Sequence, residues 1–441
     1  MPLTNTRVVI AGAGLAGLAA ARDLEARGAV VTVLEARDRV GGRVWTIRDG
    51  WRARQHAEAG ADLIEGSQRA LLELAEEAGL TMAPIIRHGF GYYGANPRGR
   101  LGRQPIGSVF RALDASFHDL VRAYQRNERR WQGPIVRRLA EESVAGWLQR
   151  TNAPPWLAQR LRGLRGLFLA DPEDLSLLAL IDFFADIDDD DGEGGMKRVR
   201  GGNDRIATAV ADRLKTPVRL RTVVRRVRIT PKGLTVSAEG PDGLAELAAD
   251  YVVIAVPAST ARDILIDPPL PDSQHDAIQQ LKYGCATRVL VQFDRRFWPN
   301  RGRPNAYGTD QPFGALWDGN EEQKGPAAIL SFLAGGGASQ QVRDLLEREG
   351  LEGLAKRLEW LGSPSRPLAT RVITWEDDPW ARGGYAYFDP GFDPAWRDLL
   401  ARPHGRIVFA GEHTSLRWQG YMNGAVESGQ RAAAEIVALN R

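Results

Sequence analysis

Cysteine is nearly absent: among 441 residues only Cys285 carries a thiol. One cysteine excludes an internal disulfide framework and any cysteine-based metal centre, and it suits a reducing, cytoplasmic setting. Lysine is scarce as well. Of 58 basic residues only Lys197, Lys215, Lys232, Lys282, Lys324 and Lys356 are lysines, which leaves 52 arginines. Long apolar runs are missing: nothing approaches the roughly 18 apolar residues that a membrane span needs. The first hydrophobic run starts at Val8, with no secretion-type segment ahead of it. Neither sign of charge dominates, the balance being +3. Arg122, Arg126, Arg129, Arg130, Arg137 and Arg138, with Trp131 among them, are where a nucleic-acid patch would be sought. Acidic and apolar residues interrupt this cluster, so it reads as a solvated helix face, and no nucleic-acid partner is expected. The acidic run Asp186–Glu193 reads as a hydrated loop rather than a metal site. Hydrophobic residues make up 43% and charged residues 26%, which is ordinary for a soluble globular protein, and the chain is too long for one core. Two domains are expected.

What the chain does have is concentrated at its start. Arg7 to Arg43 reads RVVIAGAGLAGLAAARDLEARGAVVTVLEARDRVGGR. Val8-Val9-Ile10-Ala11 is buried-strand material, Leu15–Ala26 is an Ala/Leu-rich helix, and Val30–Leu34 is a second strand ending on Glu35. Between the first strand and the helix, Gly12 permits a tight turn, Gly14 lets the backbone approach a pyrophosphate, and Gly17 lets helix and strand pack closely. The backbone of Leu15 and Ala16 then opens a helix whose free N–H groups and partial positive charge face the phosphates. Glu35 is placed to accept the hydroxyls of an adenosine ribose, which argues against a 2′-phosphate and leaves FAD or NAD.

The segment Glu35-Ala36-Arg37-Asp38-Arg39-Val40-Gly41-Gly42-Arg43 resembles the flavin-dependent amine oxidase family, which includes monoamine and polyamine oxidases. In that family this motif follows the ribose acid, and its arginines (here Arg37 and Arg43, beside Ala36 and Gly42) contact the FAD pyrophosphate and flavin. Glu58–Asp62 looks like the family's glycine-alanine turn beneath the flavin, carried by Gly60, Ala61 and Asp62. At the far end, the strand Arg406–Ala410 runs into Gly411-Glu412-His413-Thr414. Trp418-Gln419-Gly420-Tyr421-Met422 then leads into a small-residue helix ending near Leu439. The resemblance implies that Glu412 binds the FAD ribityl region and that the backbone of Gly420, Tyr421 and Met422 passes the flavin ring. It also makes Val224 the residue holding the adenine by its backbone. The implied fold is α/β, a Rossmann-like FAD-binding domain (1–80, 196–275 and 396–441) interleaved with a sheet-plus-helices substrate domain (81–195 and 276–395). The Val223–Ile229, Gly233–Ala238, Tyr251–Pro257, Arg288–Phe293 and Ala328–Leu333 runs read as strands. Ile206–Leu214 and Gln340–Leu361 read as helices, and Asn96–Gly99 as a hairpin tip. Membrane-bound relatives carry a C-terminal anchor that this sequence does not show, so no membrane partner is expected.

The family cages its amine between two aromatic rings beside the flavin, and the Gly383-Gly384-Tyr385 and Gly420-Tyr421-Met422 motifs make Tyr385 and Tyr421 those walls. The family also carries a lysine ten residues before a Phe-Trp pair, bound through water to flavin N5. Counting back from Phe297-Trp298 gives Arg288, while Lys282 does not match the spacing. Arginine is planar and permanently charged, so Arg288 could hold that water or grip a substrate carboxylate. In monoamine oxidases a cysteine just before the first cage tyrosine binds flavin covalently; here Gly384 stands there, so FAD is expected to be noncovalent. The reaction implied is oxidation of an amine to an imine by hydride transfer to FAD, with dioxygen as acceptor and hydrogen peroxide as product. Three alternatives stay open. One is an L-amino-acid oxidase using Arg288 or Arg87 for the carboxylate. Another is a flavin-dependent desaturase or dehydrogenase, against which the two tyrosines count. The third is a flavoprotein that only binds a partner. A homodimer is compatible with all of them.

Overall fold

The computed structural model describes residues 2–96, 100–125, 131, 133–187, 195–298 and 302–440. Four short apolar strands form a parallel sheet in the order Val30–Leu34, Arg7–Ala11, Tyr251–Ile254, Ile407–Phe409. Continuous apolar runs of this kind are what a parallel sheet covered on both faces requires. On one face the helix Leu15–Ala26 packs against the helix Met422–Leu439. On the other lies an antiparallel meander, Val223–Thr230, Gly233–Gly240 and Gly243–Ala249, extended by the parallel strand Leu265–Asp267. Sheet and meander share one core, in which Val9, Ala11 and Ile254 meet Val227, Val236 and Ala238. The first and last strands of the parallel sheet therefore come from opposite ends of the chain.

A seven-stranded sheet forms the second layer system, with Ala286–Phe293 and Ala328–Gly335 paired as the second and third strands from one edge. All eight residues of Ala286–Phe293 are buried: helix Gly337–Lys356 covers one face, and on the other Leu290 and Gln292 pack under the segment around Trp51, Gln55 and Ala57 while Ala286 and Arg288 reach the cavity described below. Its far edge is the hairpin Phe90–Ala95 with Leu101–Pro105. The helices Ile106–Gln125, Pro134–Ala140, Val144–Arg150, Pro155–Arg162 and Leu177–Ile187 enclose a separate apolar cluster, to which Tyr92 of that hairpin belongs. A small sheet of Ile64–Glu65, Met196–Val199 and Met82–Ile85 crosses the expected domain boundary at residue 80.

The predicted helix over 340–361 is observed as Gly337–Lys356, interrupted at Gly350, where φ is +63°. Glycine adopts that conformation freely, and the right-handed helix cannot pass through it. The strand Gly243–Ala249 has no counterpart among the sequence-based expectations. Beyond Asn96 the expected hairpin tip, and likewise Arg126, Arg129, Arg130 and residues 188–193 of the acidic run, lie outside the described residues. Arg122, Arg137 and Arg138 are exposed. Among the described residues no helix is long and apolar enough to cross a membrane, and no cluster of His, Cys, Asp or Glu could hold a metal.

Candidate active site

One cavity of about 1220 Å³ runs between the parallel sheet and the seven-stranded sheet. Its wall contains Gly12, Gly14, Leu15, Ala16, Glu35, Ala36, Arg37, Gly42, Arg43, Gly60, Ala61, Asp62 and Val224 from the nucleotide-type motifs. Gly411, Glu412, Gly420, Tyr421 and Met422 join it from the C-terminal segment, Arg288 from the seven-stranded sheet, and Tyr385 from the bend ahead of the short strand Ala386–Tyr387. Of the residues expected to hold the cofactor or cage the amine, Gly17 alone is not on this wall. A Cβ there would sit 1.9 Å from the Gly12 carbonyl oxygen, so Gly17 is the packing glycine.

The glycine-rich turn has the form a dinucleotide needs. Gly12 holds φ at +101°, and a Cβ on Gly14 would meet no protein atom within 4 Å, so the backbone there faces open space. Gly14 caps the helix Leu15–Ala26 without any side-chain hydrogen bond, and no acidic residue occupies the first turn. An anion can approach these N–H groups unopposed. Glu35 is fixed at its strand end, one carboxylate oxygen accepting from Ala13 N at 2.8 Å and the other from Arg37 N at 2.9 Å. Its remaining lone pairs are available to ribose hydroxyls. Arg37 commits its own fork to Asp378, at 2.6 and 2.7 Å, and so ties the nucleotide loop to the segment ahead of Tyr385.

The Tyr385 ring lies against Gly420, the residue before Tyr421. A Cβ added to Gly420, where φ is +82°, would lie 3.1 Å from the Tyr385 ring, so only glycine lets the Tyr421 segment come this close. The Tyr385 hydroxyl donates to the Leu167 carbonyl at 2.6 Å. Burial pushes the Tyr385 phenol well up, with the neighbouring Tyr421 adding to it, so the ring stays neutral. Tyr421 packs edge-on against Trp418 at 5.4 Å. Leu167, Phe168, Phe183, Leu333 and Trp317 supply apolar wall nearby.

Arg288 is 4% exposed. One terminal nitrogen donates to the Gly60 carbonyl at 2.7 Å and the other to the Ser331 hydroxyl at 3.1 Å. The guanidinium stacks over Trp317 at 4.7 Å. Burial lowers its pKa, and the nearby Asp62 and Glu58 counter that pull.

The profile described as flavin containing amine oxidoreductase matches residues 15–437. The chain belongs to that family. It is thus an FAD-dependent oxidoreductase acting on amines. A putative flavin-containing monoamine oxidase of Mycobacterium tuberculosis is 30% identical over 99% of this chain and 98% of its own length. Human amine oxidase B is 27% identical, covering 98% of this chain and 86% of its own. Cyclohexylamine oxidase from Brevibacterium oxydans superposes with a TM-score of 0.87 at 27% identity, over 99% of this chain and all of that one. Putrescine oxidase bound to putrescine gives 0.82 at 28%, over 98% and 99%.

Behind the cavity wall of this amine oxidoreductase lies a buried ionic cluster that sequence reasoning missed. Asp62 accepts from Arg198 Nε and from Trp317 Nε1, both at 2.6 Å, and Arg198 also donates to Glu322 at 2.8 Å. Glu58, wholly buried, accepts from the Thr46 hydroxyl and from Asn203 N. Burial, with the negative charge of Asp62 added, pushes the Glu58 carboxyl up to about 8. Arg198 donates to Asp62 across 136 residues of chain, so no local motif announces the group. Cys285 is unpaired and lies off the cavity wall.

Proposed function

We propose that this chain oxidises an amine whose nitrogen sits between Tyr385 and Tyr421, giving an imine that hydrolyses, with dioxygen as the electron acceptor. The observation that carries the reading is that the Tyr385 ring lies against Gly420, next to Tyr421, with both tyrosines on the wall of the cavity that also holds the dinucleotide motifs. When bound, FAD supplies the acceptor for the hydride leaving the carbon next to nitrogen and passes the electrons on to oxygen as peroxide. The chain's residues do the rest. An alkylammonium has a pKa around 10, near that of a lysine side chain, and reaction requires the nitrogen lone pair. The apolar wall disfavours the cation by desolvation, and the two π faces orient the nitrogen while partly offsetting that cost.

Two observations support noncovalent FAD and a simple amine. A side chain at Gly384 would run into Leu169 at 2.3 Å and Ala286 at 2.9 Å, which leaves no room for the attachment cysteine of the monoamine oxidases. Neither candidate carboxylate clamp is free. Arg288 has both terminal nitrogens engaged by protein, and Arg87 is exposed, off the cavity wall and within 4.0 Å of Glu321. In our reading Arg288 holds a water through its Nε, which has no protein partner. The division into an FAD-binding part (1–80, 196–275, 396–441) and a substrate part (81–195, 276–395) belongs to the same proposal. So does a cytoplasmic location, which the unpaired Cys285 supports.

Anaerobic titration against primary, secondary and diamine substrates and a set of amino acids tests it. Flavin bleaching by amines, with peroxide formed once air is admitted, is the expected result. Bleaching by amino acids alone, or by no amine, overturns the reading.

A further inference from the structure

We infer that Glu412 is a positioning residue, whose carboxylate holds the two tyrosine-bearing segments at a fixed separation and so sets the width of the slot between Tyr385 and Tyr421. The inference rests on reading those tyrosines as the amine-binding pair, and it adds a role to the ribityl contact that the family likeness implies for this glutamate.

Glu412 is 5% exposed and follows directly on the strand Ile407–Phe409 and Ala410-Gly411. One of its oxygens accepts at 2.8 Å from the N–H of Gly420, the residue immediately before Tyr421. The other accepts from Ala386 N at 3.3 Å, immediately after Tyr385. That second oxygen also takes Arg43 Nη1 at 2.9 Å, and the same nitrogen donates to the Gly384 carbonyl at 2.7 Å, immediately before Tyr385. The backbone on both sides of one ring and ahead of the other thus converges on a single carboxylate–guanidinium pair. Gln419 Nε2 adds a second strut to the Ala386 carbonyl at 3.0 Å.

The chemistry requires a carboxylate. Both oxygens must accept, because donors face each of them; a glutamine would turn an NH2 toward one N–H and leave it unpaired. Aspartate, one methylene shorter, cannot reach both segments. Arg43 keeps its charge in this setting: burial works against it, and Glu412 more than compensates, so its pKa is raised. With Gly420 already at contact distance from the Tyr385 ring, a loosened clamp has nowhere to go except toward a wider or skewed slot.

The test uses holoenzyme kept in excess FAD. Its probe is benzyltrimethylammonium, a cation that fits an aromatic cage and, having no nitrogen lone pair, is not oxidised. Glu412→Gln should weaken this probe about five- to tenfold and slow anaerobic reduction by a good substrate by about tenfold or more, as expected when reacting groups are misplaced. In a Tyr421→Ala background the same substitution should cost less than about twofold further, because there is no longer a slot to hold. If Glu412→Gln does not yield folded protein, Gln419→Leu removes the second strut without touching a buried charge. It should weaken the probe about two- to fivefold in the native background only. Losses that multiply fully in the double variant overturn the inference. So does a wild-type reduction rate in Glu412→Gln once FAD saturates, which would leave the glutamate a cofactor ligand alone. An unchanged Gln419→Leu, in the case where it is needed, does the same. Failure of the underlying reading looks different: Tyr385→Ala and Tyr421→Ala alone would then reduce at the wild-type rate.

Discussion

A guanidinium whose terminal nitrogens are committed to the Gly60 carbonyl and the Ser331 hydroxyl, and whose face lies on Trp317, does not swing toward a ligand. Arg288 therefore acts as a fixed charge. Arg288→Lys should keep that charge and leave anaerobic reduction within about threefold, with the oxygen rate preserved or improved, since lysine is also a competent point charge for holding water. Arg288→Met should slow reoxidation and spare reduction; stopped-flow traces of the two half-reactions separate them. If acidic substrates alone lose affinity in Arg288→Lys, a carboxylate clamp is the better description. The tyrosines are tested in the other half-reaction. Tyr385→Ala and Tyr421→Ala should each retain FAD yet slow anaerobic reduction by about a hundredfold, the scale of a small misplacement of reacting groups. A glycine-tyrosine motif marked each tyrosine in the sequence, and both lie on the cavity wall. The acceptor that fixes the Tyr385 hydroxyl was not legible. It is the main-chain carbonyl of Leu167, and a carbonyl carries no residue signature.

In the opening strand–turn–helix unit the glycines divide by what a methyl group would meet, and the division predicts opposite phenotypes. Gly17→Ala puts a Cβ 1.9 Å from the Gly12 oxygen, so helix and turn must part. Overpacking of this kind costs about 1–3 kcal/mol, and both the melting temperature and the FAD content should fall. Gly14→Ala meets nothing in the protein and has ordinary backbone angles, with φ at −72°. Its apoprotein should melt with the wild type, while its methyl group occupies the space the cofactor needs, so FAD retention should be lost. Melting curves with and without added FAD check both. Elements with strong periodicity or continuous apolar character, such as Arg7–Ala11, Leu15–Ala26 and Tyr251–Ile254, could be read in advance. The strand Gly243–Ala249 could not, because it is an exposed edge of the meander and its glycine, alanines and glutamate carry no strand preference. The break at Gly350 was hidden by an apolar spacing that continues on both sides of it.

Over the whole molecule, the buried ionic cluster behind the cavity should shape the pH dependence of stability. The Glu58 carboxyl is pushed up to about 8 from an ordinary 4.5, so the folded state keeps a proton there that the unfolded chain releases. Its favourable contribution is complete below about 4.5 and is lost as pH rises toward about 8. Glu58→Gln stays neutral throughout, and the Thr46 hydroxyl can rotate to accept from the new amide. The variant should therefore match the wild type in urea unfolding at pH 5 and exceed it at pH 8; equal curves at pH 8 would show Glu58 to be ionised in the native protein. A second global test concerns the cofactor: acid precipitation should leave all FAD in the supernatant, and flavin retained by the pellet would contradict noncovalent binding. The family, the cofactor and the cavity's composition were readable because short motifs carry them. The cluster was not, since Asp62 finds Arg198 and Trp317 only after folding, across 136 and 255 residues of chain.

The parallel sheet that begins with Arg7–Ala11 is finished by Ile407–Phe409, and the helix Met422–Leu439 closes against Leu15–Ala26. This order has a consequence during synthesis. Glu412, Gly420 and Met422, which complete the same cavity, leave the ribosome long after the glycine turn has emerged. Until they do, the growing chain carries half a binding niche, and flavin can be held only once both halves have been made.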